Sequence, residues 1–284
     1  LIYALFIVLV LASCGTYKTE PVKDVANKEW LLVWGDEFDY EGLPDSTKWV
    51  NEIGFVRGSE LQWYTKNNLK NGRVEDGNLL LEARKERVEN PNYEEGHESW
   101  KKNRTHAAYT SASVKTHKLF DFTYGRVEVR AKLPVGKGTW PAIWMLGSNI
   151  SEIGWPDCGE IDILENVGFD PNKAHANIHT KAYNYVMLTN KGDSITIDAP
   201  YQNYHVYAVN WSKDSLEFFV DDKKYFVFHN EQKGYEEWPF DQDHYLILNL
   251  AIGGPWAGKY GIDDEIFPQK FYIDYVRVYQ KEST

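Results

Sequence analysis

The sequence predicts an all-β protein, a two-sheet antiparallel β-sandwich, and three observations carry that prediction. About a dozen short apolar or β-branched runs are separated by polar turns from Trp30 onward. No stretch sustains a 3.6-residue apolar period with caps, so no long amphipathic helix is expected. Residues 126–133 alternate cleanly, with Val127, Val129, Ala131 and Leu133 on one face and Arg126, Glu128, Arg130 and Lys132 on the other. That is the pattern of a sheet with one buried and one wet side.

In chain order, Leu1–Ala12 is almost wholly apolar and ends in Leu11-Ala12-Ser13-Cys14-Gly15. The run is shorter than the roughly 20 residues that span a bilayer. It resembles a bacterial lipoprotein signal, with Cys14 as the residue that would carry lipid. Neither a Met nor a basic segment precedes it, so the start is read as truncated. Export to the cell envelope is expected, at the periplasmic or outer surface, with ordinary secretion as the alternative. The organisation that follows is a signal segment at 1–14, a polar tether at 15–29 and one domain at 30–281. Strand-like runs recur at 79–84, 111–118, 204–211, 244–252 and 271–280. Residues 215–228 read as a hairpin turning at Asp221-Asp222-Lys223, and the charged, aperiodic stretch 86–106 reads as a long surface loop.

A chain of 284 residues suits one large sandwich. Its net charge of −11 makes nucleic acid an unsuitable partner and disfavours strongly sulfated polymers. Aromatic residues reach 15%, with 11 Trp and 19 Tyr, which suits stacking on sugar rings as well as a β-rich core. A neutral polysaccharide is the default ligand, and a monomer the default state. Of the two cysteines, Cys158 has no partner if Cys14 carries lipid, and it reads as a buried packing residue.

The segment Glu160-Ile161-Asp162-Ile163-Leu164-Glu165 sets three carboxylates in an otherwise apolar strand. Strand side chains alternate, so Glu160 and Asp162 share a face while Glu165 would point away. One β-bulge between Asp162 and Glu165 returns Glu165 to the shared face. Crowded, partly desolvated acids push their pKa values apart, the division of labour that glycoside hydrolysis uses. A solvated acidic edge or a calcium loop are the alternatives. Calcium loops are polar between ligands, whereas Ile and Leu separate these acids.

The stretch 155–168 resembles the active-site strand of glycoside hydrolase family 16, in the bulged version of laminarinase-type β-glucanases. Other segments fit in order: Trp34-Gly35-Asp36-Glu37-Phe38, 138–146, Asn177-Ile178-His179-Thr180, 249–254 and 273–279. The resemblance implies a β-jelly roll with an open substrate groove on its concave sheet. It further implies a retaining endo-acting hydrolase of β-1,3-glucans such as laminarin, tolerant of mixed β-1,3/1,4-glucans. Glu160 would be the nucleophile, Glu165 the acid/base and Asp162 the residue that tunes them. Mixed-linkage glucan or a galactan as main substrate, and a glycan-binding lipoprotein without catalysis, are the alternative readings.

For the substrate, the resemblance implies stacking on Trp140 and Trp144, for which core packing is the bland alternative. It places His179 close to the acid/base and matches Asn51 and Arg84 to sugar contacts. Trp155 and Trp256, in Pro/Gly-flanked loops, read as rim contacts, and His175 as structural. The segment Arg57-Gly58-Ser59-Glu60-Leu61-Gln62 departs from the family's Asn-Asn-Glu-Leu-Gln pattern, which bears on the outer subsites. Catalysis needs no cofactor. Many relatives bind a structural Ca2+, and Glu37, the Gly77 carbonyl and Asp274 occupy the matching places.

Overall fold

The computed structural model describes residues 30–281; the signal segment, Cys14 and the tether lie outside the described residues. Two sheets face each other as a jelly roll. One has ten strands and includes Gly125–Lys132, His205–Trp211 and the long Gln269–Lys281, against which Trp30–Asp36 closes. The other has seven, in the spatial order Lys191–Thr196, Lys173–His179, Glu160–Glu165, Thr139–Gly147, His244–Ile252, Ser113–Lys115 and Val50–Asn51. All neighbours in this second sheet are antiparallel.

The core fills the space between the sheets. Ile143, Met145, Ile161, Ile178, Leu248 and Leu250 meet Val127, Val129, Val209, Phe271, Ile273 and Val278, all buried. Each such side chain contributes roughly 1.5–3 kcal/mol by leaving water. His244–Ile252 is buried along its whole length, because the outward face of that strand is covered as well. The Asp221–Asp222 hairpin forms as expected, between Ser215–Val220 and Lys223–His229.

Two expectations change. Residues 86–106 are not one long loop: the strand Asn78–Glu89 runs on, pairs with His106–Ser111, and a single turn of helix at Trp100–Asn103 fills the connection. Past Ala83 neither face of that strand reaches the core, so no apolar alternation marks it and backbone pairing alone extends it. The outward face of Gly125–Lys132 is not wet throughout, either. Glu128 is buried under Arg126, which holds it at 2.6 Å, and Arg130 reaches Asp274 at 2.6 Å. Long cationic stems cover the sheet where polar patterning suggested open water.

Candidate active site

The acid strand Glu160–Glu165 lies near the middle of the seven-stranded sheet, and its ladder slips on both sides. Asp162 pairs with Trp144 and Leu164 with Ile143 on one flank; Asp162 pairs with Asn177 and Glu165 with His175 on the other. The extra residue leaves the consecutive Ile163 and Leu164 both packed in the core. Glu160, Asp162 and Glu165 thereby emerge together on the outward face, where they line a cavity of about 1090 Å³. That is at the upper end of the roughly 300–1,000 Å³ of ligand pockets. Gly159 turns the chain into this strand at a φ of +80°, and a Cβ there would lie 2.8 Å from Pro239.

The tryptophan strand Thr139–Gly147 and the rim hold the acids. Trp155 Nε1–H donates to Glu160 Oε2 at 2.8 Å, and Trp140 Nε1–H donates to Glu165 Oε1 at 3.1 Å. Burial raises all three carboxyls. Glu160 reaches about 7, checked by the Trp155 hydrogen bond and the nearby Arg57 charge. Glu165 reaches about 8, pushed further by the charges of Glu160 and Glu60. Asp162 is driven well up by desolvation and by both neighbours, and it bonds to Glu160. A protonated Asp162 donating to Glu160 explains why Glu160 is the easier glutamate to ionise. The same face thus carries one carboxyl that gives up its proton first and one that keeps it.

His179 stands elsewhere than the resemblance implied. It pairs across from Glu160, with Nε2 at 3.7 Å from Glu160 and 3.5 Å from Asp162; the residue opposite Glu165 is His175. The antiparallel register with the acid strand decides this. Burial holds the His179 imidazole neutral, its pKa lowered to about 4. Asn177 Oδ1 accepts from the Ile178 amide at 3.1 Å and from Asn190 at 3.0 Å, so its Nδ2 is turned to His179 Nε2 at 3.2 Å. His179 Nδ1, on the other side of the ring, is buried with no hydrogen-bond partner. Glu160, Asp162 and His179 also offer ligand atoms within 4.8 Å of one another. Of these ligand atoms, His179 Nε2 already faces the Asn177 amide at 3.2 Å, while Glu160 Oε1 and Asp162 Oδ2 face the ring.

His175 lines the groove rather than serving the core, edge-on to Trp256 at 5.0 Å; Trp256 in turn meets Trp140 at 5.5 Å. Trp155 forms the opposite rim with Tyr185, their rings 5.1 Å apart. Trp144 lines the cavity, but it is only 6% exposed, its Nε1–H donates to Asn249 at 2.7 Å, and Arg57 covers its ring at 4.8 Å. The face expected to carry a sugar carries a guanidinium instead.

Asn51 and Arg84 do not line the cavity. Asn51 accepts from the Asn67 amide on the edge strand, and Arg84 lies in the other sheet, paired with Glu82. Glu37, Gly77 and Asp274 come to one stretch of Gln269–Lys281: Asp36 pairs with Val276, Leu79 with Ile273, and the ladder bulges between Ile273 and Tyr275. Both carboxylates there are held by arginines, Glu37 by Arg277 at 2.7 and 2.8 Å and Asp274 by Arg130. Cys158 is buried and unpaired, its thiol pushed up to about 12 by burial. Arg57, Glu60, Lys115, Asn177 and Tyr245 line the groove without having been named as site residues from the sequence. Arg57 and Glu60 carried a signal in the segment that departs from the family pattern, and Asn177 one in the family-like segment Asn177-Ile178-His179-Thr180.

The sequence profile of glycosyl hydrolases family 16 matches residues 58–277. The chain belongs to this family. The family 16 chain is 43% identical to a beta-glucanase of Rhodothermus marinus, over 97% of this chain and 93% of that protein. The solved laminarinase of Rhodothermus marinus superposes with a TM-score of 0.80 at 44% identity, covering 90% of this chain and 99% of that one. SCLam, a non-specific endo-beta-1,3(4)-glucanase from family GH16, superposes with a TM-score of 0.81 at 44% identity, covering 93% and 95%. As a family 16 member the protein is a glycoside hydrolase.

Proposed function

We propose that this family 16 hydrolase is a retaining, endo-acting β-glucanase that cleaves internal β-1,3 bonds of glucans such as laminarin. The observation that carries the reading is the bulge, which presents Glu160 and Glu165 on one face of an open groove. Laminarinase and beta-glucanase relatives of matching length support the choice of polymer. The groove runs across the sheet from Lys115 and His117 to Asp193 and Ser194, so a chain passes through rather than ending there. Ionised Glu160 attacks the anomeric carbon and forms a glycosyl ester, while the glycosidic C–O bond breaks. Glu165 gives its proton to the leaving oxygen, then removes one from the incoming water as the ester is cleaved and Glu160 departs as carboxylate. Asp162 keeps its hydrogen bond to Glu160 through both steps.

The protein incubated with laminarin, mixed-linkage glucan, cellulose and agarose, with Glu160→Ala as blank, is expected to shorten laminarin rapidly to oligomers. Slower cutting of mixed-linkage glucan is expected beside it, in line with the non-specific relative. Activity confined to agarose would move the substrate to a galactan, and binding without cleavage would replace the enzyme by a glycan-binding protein.

A structural Ca2+ at Glu37, the Gly77 carbonyl and Asp274 belongs to the same proposal. Oxygen donors from three distant segments of the fold suit Ca2+, and the ion would take Glu37 from Arg277 and Asp274 from Arg130. Thermal unfolding is expected to move to higher temperature with added Ca2+ and back with chelator, a shift abolished by Glu37→Gln. Equal midpoints in both conditions would remove the ion from the account.

A further inference from the structure

One wall of the groove carries a guanidinium that the hydrolytic steps do not use. Arg57 lies over the Trp144 ring at 4.8 Å and the Tyr64 ring at 6.0 Å, and its Nη2 is paired with the buried Glu52 carboxylate. Glu52 is itself fixed by the Ser113 hydroxyl at 2.8 Å and by Lys115 at 3.4 Å. The guanidinium is therefore clamped in plane and position, with little rotamer freedom left to lose on binding. Its Nη1 is buried, makes no hydrogen bond, and belongs to a residue that lines the cavity. A buried donor left unsatisfied costs about 1–3 kcal/mol, more when charged. Such a group in a binding groove waits for an acceptor from the ligand.

We propose that Arg57 is a substrate-binding residue, whose Nη1–H donates to a hydroxyl oxygen of a glucan unit lying against the Trp144 and Tyr245 wall. The proposal rests on the β-glucanase reading and names a contact within it. It follows that Trp144 acts by supporting Arg57 from behind, since its ring face is covered and its own N–H is spent on Asn249. A neutral sugar is the fitting ligand, because Glu52 already balances charge at this wall. The departure from the family pattern falls at Gly58 and Ser59, directly beside Arg57, and two small residues there leave the guanidinium as the donor at this wall.

The test is made in the Glu160→Ala background, where nothing is cleaved and no effect of Arg57 on Glu160 ionisation enters. Binding of laminarihexaose is measured by calorimetry for that parent, for added Arg57→Met, and for added Glu52→Gln/Arg57→Met, which leaves no buried carboxylate stranded if the first variant folds poorly. Both are expected to bind about 10- to 100-fold more weakly than the parent, the loss of a charge-assisted hydrogen bond. Arg57→Lys is not expected to restore affinity, since an ammonium cannot keep the stacked, forked geometry. An unchanged or tighter dissociation constant in a folded Met variant would overturn the proposal. A parent that ignores laminarihexaose would instead overturn the β-1,3 reading. The comparison then passes to a mixed-linkage tetrasaccharide, where the same ratio is expected and an unchanged constant is again fatal to the role of Arg57.

Discussion

Replacing Glu160 by Gln is expected to lower hydrolysis of laminarin by at least about 10⁴-fold, the scale on which loss of a covalent nucleophile is felt. The amide keeps the shape of the side chain and its contact with Trp155, but it cannot attack carbon. Fold and stability should survive. Glu160 is raised to about 7 in the folded protein from an ordinary 4.5, and burial is the main cause. A carboxyl raised on folding contributes stability that is complete below its unfolded value and is lost as pH rises through its folded value. Wild type therefore carries a charge penalty that grows between about pH 4.5 and 7 and that the Gln variant escapes at this position. The variant's thermal midpoint should match wild type near pH 4 and exceed it at pH 8. Reducing-end release from laminarin and a pair of melting curves measure both effects. Hydrolysis within about tenfold of wild type would remove Glu160 from the nucleophile role.

Glu165→Ala should produce a different failure, because it removes the proton rather than the attacking group. Cleavage of glucan is expected to fall about 10²- to 10⁴-fold. An aryl β-laminaribioside with a good leaving group needs little protonation, so its first step should be much less affected. The glycosyl ester on Glu160 then accumulates for want of a base to activate water. Azide, which needs no base, should restore turnover and release a β-configured glycosyl azide. In wild type Glu165 must be protonated at the start, and burial and the Glu160 charge hold its proton to about 8. Activity should decline as pH rises through that region and also as it falls below about 7, where Glu160 takes up its proton. The limbs belong to the coupled set of acids rather than to single residues. Loss of the alkaline limb in Glu165→Ala, read on the activated substrate, separates the assignments. Equal losses on glucan and aryl substrate, with no azide product, would show that Glu165 is not the acid/base.

Local pattern made much of this protein legible. Alternation located the strand Gly125–Lys132 because Val127, Val129 and Ala131 face the core, and burial on one face writes itself into sequence with period two. Parity alone required a bulge between Asp162 and Glu165, and the ladder has it. The strand beyond Ala83 escaped notice because backbone pairing there serves no core and leaves no apolar signature.

What the amino-acid sequence determined by itself was therefore the β-sandwich, the family, and three acids brought to one face by one extra residue. What only the tertiary structure decided was who stands beside whom. Register set His179 against Glu160 and gave His175 to Glu165. Sheet membership took Arg84 away from the groove. Packing laid Arg57, 87 positions earlier in the chain, over the Trp144 ring. Spacing along a strand reports which face a side chain uses, because that is a property of the local backbone. Contacts across strands and between loops depend on how distant segments meet, and no short window of sequence contains that information.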